Sequence, residues 1–187
     1  MRGRWLIGFV PLALTACGYN TIQTYDEQAG AAKQQIEVQL QRRADLVPNL
    51  VATVRGQAKQ ELDVFTQVAQ ARSGLVGALQ KGDPQELANA NEQLTGALRG
   101  LMIQVEAYPQ LKSDQAFLRL QDELAGTENR ITVERMRYNE AVRSYNTRLR
   151  RFPTKLFASA TGFETRDYFE APQSAQDVPR VDFGSRR

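Results

Sequence analysis

The chain has no histidine and a single cysteine, Cys17, in 187 residues. Lack of histidine removes the commonest general base and metal ligand. Ser/His/Asp triads, Cys/His dyads and zinc centres built on histidine or cysteine are therefore excluded. The Glu-x-x-His pairing used by di-iron helical bundles is equally out of reach. No glycine-rich phosphate loop or dinucleotide fingerprint occurs. What remains is carboxylate chemistry, from pairs such as Glu123 with Glu128 or Glu106 with Asp114, and solvated or salt-bridged acids are the simpler reading of both. The expectation is a protein that is not an enzyme and holds no cofactor or metal. One cysteine also rules out a disulfide within the chain. Stability must come from a hydrophobic core, for which an apolar content of 42% suffices.

A long hydrophobic run is missing too. A bilayer core needs roughly twenty apolar residues, and the segment that starts at Trp5 is closed by Gly18-Tyr19-Asn20. Arg2 and Arg4, the apolar stretch Trp5 to Leu14 and the small residues after it describe a secretory signal. Leu14-Thr15-Ala16-Cys17 resembles a bacterial lipobox, which implies a diacylglyceryl group on the Cys17 sulfur and cleavage just before it. A short uncleaved anchor and an ordinary signal that happens to hold a cysteine are the competing readings. Two or more acyl chains give stable membrane attachment. Residues 1–16 are thus expected to be a signal peptide and 17–27 a lipidated anchor and linker. Removing Arg2 and Arg4 lowers the net charge from +3 to +1. The overall basicity is then no sign of nucleic-acid binding, and none is expected.

Helical periodicity dominates the rest. Ile36, Leu40, Val47, Val51, Val54, Ala58, Leu62, Phe65 and Val68 form one stripe at steps of three, four and seven. Pro48 interrupts it, since proline lacks the amide hydrogen and disfavours helical geometry at Val47. A kink or a turn is expected there: the unbroken stripe favours a kink, and the length of the segment favours a turn. Gly82-Asp83-Pro84, with Glu86 placed for a capping box, marks a helix boundary. Leu87, Leu94, Leu98, Leu101 and Val105 follow as a second stripe ending at Tyr108-Pro109. With Ser113 as the expected cap, a third runs Phe117, Leu120, Leu124, Ile131, Tyr138, Val142, Tyr145, Leu149 and Phe152, closed by Pro153. No segment alternates with period two over strand length. The prediction is an all-α antiparallel bundle of long helices, four in number. Residues 154–170 read as a short helix and a packed turn anchored by Phe163, Tyr168 and Phe169, and 171–187 as a disordered tail, either a partner-binding strand or an unfolded end.

Polar groups lie on or beside these stripes. Tyr138-Asn139 and Tyr145-Asn146 are seven residues apart, so both pairs face the same way on one helix; Glu128 and Arg135 have the same spacing. Buried groups of this kind need partners, because an unpaired one costs roughly 1–3 kcal/mol. Arg42, Arg43 and Asp45, near Pro48, are expected to help supply them. One reading is a network that fixes helix register. The other is a pocket or docking groove near Pro48 and Tyr108-Pro109, with Glu106 and Tyr108 on its rim. Arg148, Arg150, Arg151 and Lys155 cluster at the end of the last long helix, where cations meet the helix dipole favourably; contact with anionic lipid or an acidic partner is the alternative.

The run from Val38 to Val51, Val-Gln-Leu-Gln-Arg-Arg-Ala-Asp-Leu-Val-Pro-Asn-Leu-Val, resembles the signature of the LemA family. So do Glu106-Ala107-Tyr108-Pro109-Gln110-Leu111-Lys112 and Glu123-Leu124-Ala125-Gly126-Thr127-Glu128-Asn129-Arg130-Ile131. Arg135, Tyr138-Asn139, Val142, Tyr145-Asn146, Phe152-Pro153, Gly162-Phe163 and Tyr168-Phe169 complete it. The resemblance spans residues 19–171. It implies a helical-bundle domain, residues 28–170 here, attached by its N-terminus to a bacterial envelope membrane. Many members are anchored by an apolar N-terminal helix, from which the lipobox-like start of this chain departs. In two-membrane bacteria a residue other than Asp after the lipidated cysteine, here Gly18, goes with export to the outer membrane, facing the periplasm. The family has no established biochemical activity. The function expected is that of a non-enzymatic envelope scaffold or adaptor that binds other envelope proteins. The alternative is an auxiliary or ligand-binding subunit of an envelope enzyme complex for proteolysis or cell-wall turnover.

Overall fold

A computed structural model of the chain describes residues 9–57, 63–152, 154–155, 158 and 162–170, with side chains from Asn20 onward. Most of the expected signal's charged start, the Cys17 side chain, Ala58, Leu62, Pro153 and the tail from Ala171 lie outside the described residues. Within them every regular element is a helix: α1 (Phe9–Gln57), α2 (Asp63–Lys81), α3 (Pro84–Val105), the short α4 (Pro109–Lys112) and α5 (Gln115–Arg150). There are thus five helices where four were expected. No helix among the described residues is long and apolar enough to cross a membrane.

The core follows the apolar stripes. On α1 the buried positions are Ile22, Ala29, Ile36, Leu40, Ala44, Val47, Leu50 and Val54; on α5 they include Phe117, Leu124, Ile131, Tyr138, Val142, Tyr145 and Leu149. Both sets step by three, four or seven, the seam spacing of paired helices. Ile22 packs near Tyr145 and Leu149, while Arg43 reaches Glu128, so α5 runs back along α1. At about 1.5 Å per residue α1 is roughly 74 Å long, and α5 packs along it from Ile22 to Arg43 and beyond. α2 pairs with α3 and packs on the second half of α1, which α3 reaches through the bond between Arg43 and Asn91.

Turn chemistry fixes these connections. Gly82 takes φ +68°, the left-handed conformation that closes a helix, and the Asp83 side chain accepts from the Glu86 amide at 2.8 Å. At the start of α5 the cap is Asp114 rather than Ser113. Asp114 Oδ1 accepts from the amides of Ala116 and Phe117, whereas Ser113 Oγ donates to the Gln110 carbonyl. Phe152 is also misplaced by the stripe. α5 ends two residues earlier, and Phe152 is 82% exposed.

Pro48 makes no turn, because α1 continues through its position as helix. The reason is visible at Ala44. A helical residue 48 would donate its amide to the carbonyl of residue 44, and proline has no hydrogen to give. Arg72, from α2, supplies the missing donor: its Nε lies 2.8 Å from the Ala44 carbonyl oxygen. A side chain of the neighbouring helix thus completes the bond that Pro48 leaves open, and α2 runs antiparallel to the end of α1, with Arg72 beside Ala44 and Phe65 beside Arg55.

Candidate functional site

The Tyr-Asn pairs of α5 build one site, and their partners are not those expected. Tyr145 Oη donates to the Glu164 carbonyl (2.9 Å) and Tyr138 Oη to that of Asp167 (2.8 Å). Asn146 brackets the backbone of Arg166, donating to its carbonyl and accepting from its amide at 2.9 and 3.0 Å. Asn139 does the same to Phe169, at 3.0 and 2.8 Å. Each carboxamide, with both donor and acceptor, thus pairs with an extended segment much as a neighbouring strand would.

The register has a simple origin. Seven helical residues rise about 10.5 Å, and three extended residues span about 10 Å. Partners that step by seven on α5 therefore step by three on the strap, residues 163–170: 164 to 167 for the tyrosines, 166 to 169 for the asparagines. Arg135 Nη2 extends the ladder to the Glu170 carbonyl at 2.6 Å, with its guanidinium over the Phe169 ring. Phe169 is buried and meets Tyr138 edge-on. Arg166 ties the strap to α1 through Asp26 at 2.7 Å. The segment expected to be a packed turn is extended here; Phe163 and Phe169 anchor it, while Tyr168 is largely exposed.

Burial pushes the Tyr138 and Tyr145 hydroxyls above the ordinary phenol value, with Asp167 adding to the rise at Tyr138, Asp26 at Tyr145, and Arg166 opposing both. Both stay protonated and remain donors at neutral pH.

Arg43 belongs to a second cluster. It is 4% exposed, donates to Asn91 Oδ1 of α3 at 2.6 Å and pairs with Glu128 of α5. Desolvation lowers its pKa, against the attraction of Glu128 and Glu92. One side chain of α1 thereby meets two other helices, which fixes their register. Arg42 pairs more loosely with Glu123, both half-exposed. Asp45 accepts only from Gln41, one turn back on the same helix. None of these three reaches the Tyr-Asn ladder, whose acceptors are carbonyls of the strap.

The remaining candidates lie apart. Glu106 pairs with Lys112 on the surface, and Tyr108 stands at the N-cap position of α4, without a side-chain cap bond, and packs on the core. A groove of about 340 Å³ does flank Pro48, walled by Val47, Val51, Phe65, Arg55 and Arg72, but neither Glu106 nor Tyr108 borders it. The carboxylates considered for chemistry are used in ion pairs or, for Asp114, in a cap. Among the described residues no group of three or more Asp, Glu or Cys is placed to hold a metal.

Sequence reasoning missed Asn91, Arg72 and the backbone partners that the strap supplies. Asn91 was discoverable, since it stands on the apolar stripe between Leu87 and Leu94. The strap's contribution is backbone, which leaves no mark in side-chain chemistry.

Comparison with known proteins places this geometry. A model described as the LemA family matches residues 32–183. The chain is similar to a magnetosome protein MamQ 2 of Paramagnetospirillum magneticum, with 30% identity covering 87% of this chain and 68% of the relative. It is also similar to magnetosome protein MamQ of Magnetospirillum gryphiswaldense (29%, covering 94% and 72%) and to protein LemA of Metamycoplasma hominis (26%, covering 81% and 66%).

Proposed function

Since the chain belongs to the LemA family, we propose that it is a non-enzymatic bacterial envelope protein, tethered by a lipidated Cys17 and acting as a scaffold or adaptor for other envelope proteins. The four long helices are read as an antiparallel bundle that stands off the membrane. The observation that carries this reading is the continuity of α1. A single helix runs from Phe9 past Cys17 to Gln57, with the Arg43 cluster and the Pro48 groove on its far half. From Cys17 to Pro48 the rise is roughly 46 Å, so α1 serves as a strut between the tether and the distal surface. Pairing with α5, locked by the strap, supports its use as a stiff spacer. Gly18 after the cysteine supports placement on the outer membrane facing the periplasm.

The test is fractionation of the native host with cross-linking in intact membranes. The full chain is expected in the membrane fraction, joined to a discrete protein partner, and Cys17→Ser is expected in the soluble fraction or as an unprocessed precursor. A purified full chain that turns over a peptide or glycan substrate without any partner contradicts the reading.

A further inference from the structure

A groove of about 470 Å³ runs along the outward face of α5 near its C-terminal end. Its wall carries Arg143 and Arg148 of α5 and Arg151 at its C-cap, with the hydroxyls of Ser144 and Thr147 between them. Glu140 is the only acid on the wall. None of the three arginines has an ion-pair partner among the described residues, and Arg148 Nε is buried with no hydrogen bond. The guanidiniums of Arg43, Arg72, Arg135 and Arg166 each have at least one acceptor, although Arg43 Nε is unpaired like that of Arg148. A groove with donors in excess of acceptors is built for an anion. Guanidinium forks match phosphate oxygens in particular.

Position selects the source of that phosphate. Tyr25 of α1 forms the opposite wall and lies only about 12 Å along the helix from Cys17. Because α5 runs back along α1, Arg151 is at the groove end nearest the tether. Next to it stands Phe152, the most exposed large hydrophobic side chain among the described residues. Cations beside an exposed aromatic are the pattern of a surface that meets the headgroup layer.

We propose that this groove binds the phosphate of an anionic phospholipid headgroup in the leaflet to which the N-terminus is tethered. The inference rests on the tethered orientation of the proposed function. Each cation near an anionic bilayer surface contributes roughly fivefold in affinity. A headgroup held at the tethered end of the groove fixes the tilt of the body of the protein, which a flexible lipid tether alone does not.

Native mass spectrometry of the full chain in a neutral maltoside detergent tests this, with short-chain phosphatidylglycerol, short-chain phosphatidylcholine and inorganic phosphate as probes. Saturable retention of phosphatidylglycerol over phosphatidylcholine is expected. The double variant Arg143→Gln, Arg151→Gln, at two exposed positions, should weaken that retention by roughly 25-fold with an unchanged melting temperature. Equal retention of the two lipids, retention indifferent to the double variant, or binding of inorganic phosphate without phosphatidylglycerol overturns the proposal. The same spectra weigh the N-terminus. A lipidated chain without discrimination refutes the groove alone, and an unmodified Met1-initiated chain that still discriminates refutes the tether alone.

Discussion

The bond between Arg72 and the Ala44 carbonyl gives the sharpest prediction about folding. Proline inside a helix costs about 3 kcal/mol, partly because the carbonyl one turn back loses its donor. Ala44 is fully buried, so without Arg72 that carbonyl would stand unpaired, at a cost of about 1–3 kcal/mol. Arg72→Met keeps most of the stem that packs beside Val47 and Phe65 and removes only the donor, so a loss of about 2 kcal/mol is expected. In a Pro48→Ala background the new amide at position 48 pairs with Ala44 within the helix. There, Arg72→Met should cost no more than about 0.5 kcal/mol, because its hydrogen bond has become redundant. The coupling is read from urea unfolding of the four proteins, followed by far-ultraviolet circular dichroism in neutral detergent. Two substitutions whose effects add to within about 0.5 kcal/mol would refute the compensation.

Other outcomes follow from the ladder and the buried cation. Asn139→Ala removes two bonds to Phe169 and should lose about 2 kcal/mol, with faster hydrogen exchange at the Phe169 amide; unchanged exchange there would count against the clamp. Tyr138 and Tyr145 have raised folded-state values, so their donated bonds stabilise the protein fully below the unfolded value of 10.0 and are lost as pH rises through the folded ones. The strap is therefore expected to loosen only above about pH 10. Tyr138→Phe should remove part of that alkaline transition while costing about 1 kcal/mol at neutral pH, both measurable by thermal melts across pH. Glu128→Ala leaves the buried Arg43 with Asn91 and the distant attraction of Glu92. A loss of roughly 2–4 kcal/mol is expected, and a neutral result in thermal unfolding would mean that Arg43 repairs itself with solvent.

The apolar stripes were legible because burial imposes a period on each helix by itself. Leu87, Leu94, Leu98, Leu101 and Val105 are all buried, as their spacing requires. Gly82-Asp83-Pro84 was legible for the same local reason. At Pro48 the sequence left a kink and a turn open; the helix continues, as the unbroken stripe favoured, and the compensating donor comes from Arg72, a residue that only the tertiary fold brings near. Choosing Ser113 over Asp114 was a one-residue error between two good caps, decided by which oxygen reaches the first-turn amides. The Tyr-Asn heptad was correctly placed on one face. Arg42, Arg43 and Asp45 were expected to help partner these pairs together with Glu128 and Arg135. Arg43 does pair with Glu128, while the Tyr-Asn pairs meet backbone of the strap, which does not advertise itself in a sequence as side chains do. Phe163 and Phe169, six residues apart and outside any helical stripe, were the available sign that this segment packs in extended form.

The tether orients the strut, the distal surface and the basic groove alike, so the mass of the mature N-terminus, taken from the membrane fraction of the native host, is the most direct test. The account predicts a chain that begins at Cys17 and carries a diacylglyceryl modification. A chain that begins at Met1, or one cleaved near Cys17 without lipid, would contradict it.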